Sequence, residues 1–259
     1  MDSDFIERLQ SIKLSEEEGT VITVGATHRE KILNECSLSL LERFLTTKPY
    51  NQRAAKALLR SMWKLGTDLR IVDVGDGLFK FMLESQLKWV LNNGPWSFDN
   101  HPLVLHRWKR GMTTSSVNFT LLPIQVQMWG LPFDLISEES KGYRQGLGQV
   151  VEIDNKAFTF EQACFVRIRV KISIDKPLRR GAFVVNPEGD RICIEFKYER
   201  LVGFCFQCGC LGYEARVCST PRNLTQTEFP YGEWLKAGFK RTKDGSNGSK
   251  KSPPRREAP

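Results

Sequence analysis

Between residues 37 and 108 the spacing of apolar positions changes several times, and each change marks an element. Leu38 to Thr46 is an apolar run of strand length, stopped by Lys48-Pro49-Tyr50-Asn51, in which Asn51 is placed to cap a helix. Ala55, Leu58, Leu59 and Met62 then recur at helical spacing, with Arg53, Lys56, Arg60 and Lys64 opposite, which predicts one amphipathic helix. Leu69 to Val74 and Leu78 to Leu83 predict two short strands joined by Gly75-Asp76-Gly77, a turn in which glycine tolerates positive φ. Ser85 is placed to cap a second helix carrying Leu87, Val90 and Leu91, which Gly94-Pro95 ends, and Leu103 to Trp108 predicts a fourth strand. The order strand, helix, strand, strand, helix, strand predicts an α+β, ferredoxin-like (split βαβ) N-terminal domain. Ahead of it, Thr20 to Ala26 alternates as an extended lead-in. Phe5, Ile6 and Leu9 suit a docked helical turn and a frayed terminus equally.

RNA recognition motifs share that topology, and Phe79 and Phe81 lie on its third strand, where those motifs stack bases. The surrounding Gly-Leu-Phe-Lys-Phe-Met does not place its basic residue and glycine around the aromatics as that pattern requires, so these aromatics are expected in the core.

A second, smaller α+β unit runs to Leu201. Ile124 to Trp129 predicts a strand, Gly130-Leu131-Pro132 a turn, Glu138 to Leu147 a short helix and Gln149 to Ile153 a further strand. In the strand 165–174, Val166, Ile168, Val170, Ile172 and Ile174 face one way while Arg167, Arg169 and Lys171 face the other. Cations on one strand face repeat every ~7 Å, close to the phosphate spacing along one nucleic-acid strand. Lys176, Arg179 and Arg180 continue the charge into the next loop. A phosphate-binding stripe and a solvated face with snorkelling cations both account for this pattern. Arg191 to Tyr198 alternates as well, with Ile192, Ile194, Phe196 and Tyr198 inward and Glu195 beside Lys197 outward.

Residues 204–218 read Phe-Cys-Phe-Gln-Cys-Gly-Cys-Leu-Gly-Tyr-Glu-Ala-Arg-Val-Cys. Cys205 and Cys208 can pinch a tetrahedral ion from one side, Gly209 and Gly212 can turn the backbone beneath the sulfurs, and Cys218 follows at the spacing of a zinc knuckle. The knuckle's histidine would fall at position 213, which holds Tyr213. A phenol with a pKa near ~10 is a poor ligand at neutral pH. Zinc held by three thiolates and a water, or by Cys210 swinging in from a strained Cys208-x-Cys210 spacing, are the alternatives for the fourth place. Beyond the knuckle, Tyr231 to Phe239 is an aromatic segment expected to pack. The stretch 241–259 is rich in Gly, Ser, Pro and cations, a composition that cannot offset the entropy of folding.

The chain has 259 residues and a formal net charge of +8, which favours an acidic partner, and nucleic acid is the commonest for a basic chain. No apolar run of ~18 residues is present to cross a membrane, and a membrane is not expected as the partner. Seven cysteines and no signal-peptide layout suit a reducing compartment, nucleus or cytoplasm, with Cys36, Cys164 and Cys193 expected as buried thiols. His28, His101 and His106 lie far from the cysteines, and neither a P-loop nor Gly-x-Ser-x-Gly occurs. An enzyme and a small-molecule substrate are therefore not expected.

Several ordered signatures, among them Ser-Leu-Leu-Glu-Arg-Phe-Leu at 39–45, Asn-Gly-Pro-Trp-Ser-Phe-Asp at 93–99, Gln-Met-Trp-Gly-Leu-Pro at 127–132, Lys-Pro-Leu-Arg-Arg-Gly at 176–181 and Tyr-Gly-Glu-Trp-Leu-Lys-Ala at 231–237, together resemble plant retroelement-derived proteins. In that family a domain of unknown function precedes a CCHC zinc knuckle, as in the gag-like first reading frame of LINE-type elements. The resemblance spans about residues 30 to 240 and implies zinc and nucleic-acid binding. The knuckle is similar to the retroviral nucleocapsid type, which implies Cys205, Cys208 and Cys218 as metal ligands, Phe206 as the aromatic lying against a base and Arg216 as a basic contact. The expected organisation is a lead-in at 1–30, a ferredoxin-like domain at 31–112, a second unit at 113–201, a knuckle-like segment at 202–222, an aromatic segment at 223–240 and a disordered basic tail at 241–259. The expected function is binding of single-stranded RNA or DNA; the alternative is a self-assembly module whose knuckle has lost its zinc.

Overall fold

The computed structural model describes residues 15, 17–18, 20–21, 25, 27–65, 69–75, 77–82, 86–136, 147–154, 165–221 and 228–238. The helix expected over 138–147 (Leu147 apart), the cap at Ser85, the thiol of Cys164 and the basic tail lie outside the described residues. Of the 20–26 lead-in only Thr20, Val21 and Gly25 are described, and none is in a strand.

The chain is α+β, built on two five-stranded antiparallel sheets and few helices. The first unit contains α1 (Arg29–Ser37), β1 (Ser39–Phe44), α2 (Gln52–Trp63), β2 (Arg70–Asp73), β3 (Leu78–Met82), α3 (Leu87–Asn92), β4 (Trp96–Phe98) and β5 (His101–Arg107). Its sheet order is β2-β3-β1-β5-β4. The apolar periodicity predicts neither α1, whose residues are all at least partly exposed, nor the three-residue β4. Asn51 caps α2 by accepting from the Ala54 amide at 3.0 Å, and Lys64 ends the helix in the left-handed region at φ 54°.

One face of this sheet presents Leu40, Phe44, Phe79, Phe81 and Leu103 to Ala55, Leu59 and Trp63 of α2 and to Leu87 and Val90 of α3. Phe79 and Phe81 are 1% and 0% exposed, so no ring face is left for a base. Leu41, Leu78 and Val104, on the other face, join a second core.

That core belongs mainly to the second sheet, formed by β6 (Leu121–Trp129), β7 (Gln149–Ile153), β8 (Phe165–Ser173), β9 (Gly181–Val185) and β10 (Arg191–Tyr198) in the order β7-β8-β6-β10-β9. Register pairs Ile124 with Val170 and Val126 with both Ile168 and Tyr198, so the apolar side of each strand shares one face. Leu178, Leu201, Phe204, Leu211 and Leu235 close over it. The two units thus share buried surface.

Two of the expected buried thiols are placed otherwise. The alternation that turns Ile192 and Ile194 inward necessarily turns Cys193 out, and it is exposed. Cys36, on α1, is half-buried and accepts from Lys80 Nζ at 3.3 Å. Among the described residues no helix is long and apolar enough to cross a membrane.

Candidate metal and nucleic-acid site

The segment 203–212 folds as a tight loop closed by a bridge between Phe204 and Leu211. The Cys205 amide donates to the Cys210 carbonyl at 2.8 Å, and the Gly209 amide donates back to the Cys205 carbonyl at 2.8 Å. Gly209 and Gly212 have φ of 77° and 94°, where a side chain is strained. A side chain at Gly209 would also collide with the Tyr231 ring. The loop brings together the sulfurs of Cys205, Cys208 and Cys218, all within 4.8 Å of one another.

A zinc ion about 2.3 Å from each sulfur needs them roughly 3.8 Å apart, so small side-chain rotations complete a thiolate set. The three cysteines fit the metal. Tyr213 occupies the missing histidine's neighbourhood with its hydroxyl 3.1 Å from Cys208 Sγ. That contact to Cys208, with burial, raises the Tyr213 pKa, so the phenol keeps its proton and donates toward sulfur. Burial opposes the Cys208 thiolate but is outweighed by hydrogen bonds from Tyr213, the Cys210 backbone, Cys205 and Cys218, which lower its pKa to about 7. Cys205 is buried, and desolvation pushes its thiol up to about 11. Cys210 stays outside the three-sulfur group, and burial raises its pKa too. Bound zinc would supply the cross-link that holds this loop folded.

Of the residues implied at the nucleic-acid contact, Phe206 is half-buried, its ring centroid 5.0 Å from that of Phe204, and it lines a cleft of about 300 Å³ with Arg216. Arg216 is exposed, but its guanidinium is paired with Glu214 at 2.6 Å. Glu214 also faces Lys48 of the first unit at 3.7 Å.

The cationic row on β8 is not continuous. Arg169 is 4% exposed and donates to the Leu91 carbonyl at 2.8 Å and the Gly94 carbonyl at 3.2 Å. Arg200 adds a bond to the Asn93 carbonyl at 2.6 Å. The last carbonyls of a helix have no partners within it and carry partial negative charge, and these two guanidinium groups supply both. Burial lowers the Arg169 pKa, consistent with a structural rather than a solvent-facing cation. Arg167 is half-buried between Glu199 at 2.5 Å and Asp154 at 3.6 Å, with Gln127 on the other Glu199 oxygen at 2.7 Å. The row expected to grip phosphates therefore has its centre turned into the protein and one end neutralised, leaving Lys171 half-buried.

Lys176, Arg179 and Arg180 are exposed in the turn after β8. The Leu178 amide ties that turn to the knuckle through the Gly209 carbonyl at 2.9 Å, and Tyr198 donates its hydroxyl to the Arg179 carbonyl at 2.7 Å. The knuckle and the surviving cations are thus one rigid neighbourhood. Residues 231–236, read from sequence only as an aromatic segment, border it on the other side. The Tyr231 amide donates to the Phe206 carbonyl at 3.1 Å, and Lys236 pairs with Tyr198 in an isolated parallel bridge.

Residues 32–116 match a domain of unknown function, DUF4283, and residues 172–220 match a zinc knuckle of the CCHC type. The chain is 28% identical over 130 residues, 50% of its length, to the Arabidopsis thaliana uncharacterized protein At4g02000. It spans about two fifths of that relative, 41% of whose length is aligned. The knuckle match and the three-cysteine cluster are consistent with zinc, and a CCHC knuckle suggests nucleic-acid binding in general terms.

Proposed function

We propose that this chain is a non-catalytic binder of single-stranded nucleic acid, in which a zinc-held loop and the cationic turn beside it meet the strand together. The observation that carries this is the convergence of Cys205, Cys208 and Cys218 on one point, with the exposed Lys176, Arg179 and Arg180 anchored to the same loop. Exposed cations next to an aromatic-bearing loop suit a flexible strand whose bases are free to stack. Fluorescence anisotropy with labelled 20-nucleotide RNA, DNA and duplex, before and after zinc chelation, tests it. Tighter binding to the single strands, weakened by chelation, is expected. Equal affinity for duplex, or indifference to chelation, would count against the single-strand preference or the knuckle respectively.

For the first unit, the sheet order β2-β3-β1-β5 with α2 and α3 on one face supports a split βαβ, ferredoxin-like fold with β4 added at the edge. The order of the two family matches supports a gag-like origin in a plant LINE-type element. Self-association is a second activity, favoured by β9. This edge strand exposes Phe183 at 64% and Val185 at 60%, with the Arg191 guanidinium 4.6 Å over the Phe183 ring, and an exposed edge strand bearing large apolar side chains invites pairing with another copy. Light scattering should show oligomers that Phe183→Lys disperses; a monomer at all concentrations would remove this reading.

A further inference from the structure

Apart from the knuckle cleft, the structure holds a second, larger groove of about 950 Å³ between the turn 177–180, the outward face of β10 and the 231–235 segment. Its chemistry comes from Arg179, Arg180, Lys197, Tyr231 and Trp234, with Glu195 the single carboxylate in the lining. We infer that this groove is the main seat of the nucleic-acid strand, with Trp234 as the platform for a base and Arg179, Arg180 and Lys197 as contacts to flanking phosphates. This inference rests on the nucleic-acid reading above and assigns it a place that the knuckle residues alone do not.

Each part is held for that task by the local structure. Leu235 is fully buried and Trp234 is 41% exposed, so the single turn 233–235 drives one side chain into the core and swings its neighbour out. The missing side chain at Gly232 lets the indole lie 3.0 Å from where a Cβ would be, fixing the ring against backbone. Arg180 lies over the Tyr231 ring at 5.5 Å and also reaches the Pro230 carbonyl at 3.4 Å, while Lys197 sits 4.6 Å above the Trp129 ring. Cations stacked on rings keep their charge while losing little freedom on binding, and an exposed indole beside them offers a sequence-tolerant π-face. Phe206, by contrast, is half-buried, and the arginine beside it is already paired with Glu214. Tyr231 and Trp234 line the groove while Glu233 and Lys236 line the knuckle cleft, so the 231–236 segment is the ridge between the two. A strand crossing that ridge would touch both.

The test uses the full chain and a fluorescein-labelled oligouridylate 10-mer. Trp234→Ala is expected to weaken binding about 5- to 150-fold, the range for losing one stacked base, while Trp234→Phe stays near wild type. Arg179→Ala should reduce the steepness of the salt dependence by roughly 0.7 in log–log slope. Ultraviolet cross-linking should place the label on the 231–236 peptide. Thermal melts monitor folding; because Leu235 carries the anchoring, both Trp234 variants are expected to melt like wild type, and Arg179→Ala decides if Trp234→Ala does not fold. Wild-type affinity in Trp234→Ala and Arg179→Ala, with loss in Phe206→Ala, would overturn the groove and leave the nucleic-acid reading intact. No binding by the wild type would overturn both. Trp234-dependent binding of polyglutamate but not of oligouridylate would overturn the inference in favour of an acidic protein partner.

Discussion

At the scale of single residues, Tyr213 decides how this knuckle works. Its hydroxyl donates to Cys208 where a histidine would otherwise reach a metal, so the loop keeps a polar contact but offers three protein ligands. Structural zinc contributes ~10–16 kcal/mol to four-ligand knuckles, and restoring one ligand should recover a fraction of that. Tyr213→His is therefore expected to hold zinc roughly 100-fold more tightly in competition with a chromogenic chelator. Equal affinity would show that the phenol, or a neighbour, already serves as the fourth ligand.

Glu42 poses a different question at the same scale. It is 1% exposed on β1, its Oε2 has no hydrogen-bond partner among the described residues, and burial raises its pKa, with Lys56 acting weakly the other way. A carboxyl with a raised folded pKa holds its proton in the folded chain after the unfolded chain has released it. Stability then falls as pH rises above the unfolded value near 4.5. Glu42→Gln should therefore be more stable than wild type at neutral pH, with the gap closing near pH 4; urea melts across that range check it. A gap that widens in acid would contradict the assignment.

At the scale of elements, the short helix α3 is held by the other unit. Arg169 of β8 reaches the Leu91 carbonyl in its last turn and the Gly94 carbonyl just past it, and Arg200, two residues after β10, reaches that of Asn93, which ties the two units together through charge-assisted bonds. Arg169→Ala removes two such bonds and strands the carbonyls, and is expected to cost about 2–4 kcal/mol in denaturant melts. Its affinity for single-stranded RNA should not change, because the side chain faces no solvent. An unaltered melt with lost binding would return Arg169 to the phosphate-contacting set.

What could be read from the chain beforehand follows the range of each interaction. The Asn51 cap spans three residues and the Phe79 and Phe81 alternation spans two, so local pattern suffices for both. Arg169 was legible as outward from β8, but the carbonyls that satisfy it lie 78 and 75 residues away, and alternation carries no information about a neighbour in another unit. Trp234 was visible as an aromatic in an aromatic stretch. Its outward turn depends on Leu235 being buried against residues far upstream, which no local period encodes. The knuckle is the most legible part, because three cysteines of fixed spacing and two glycines describe a closed loop by themselves.

At the scale of the whole molecule, the net charge of +8 is not spread along a strand face. Arg167 is paired with Glu199 and Arg169 is turned into the protein, while the exposed Lys176, Arg179 and Arg180 stand beside the knuckle. Association through the proposed groove should depend on the cations that line or adjoin it. If Lys176, Arg179, Arg180 and Lys197 each displace a counterion from a single strand, the log–log salt slope is about −3. The most direct test of the account is the affinity of the purified chain for oligouridylate over about a fourfold range of salt, from roughly 50 to 200 mM. A slope near −3 is the result the structure predicts; a flat response, or no binding at the lowest salt, would contradict it.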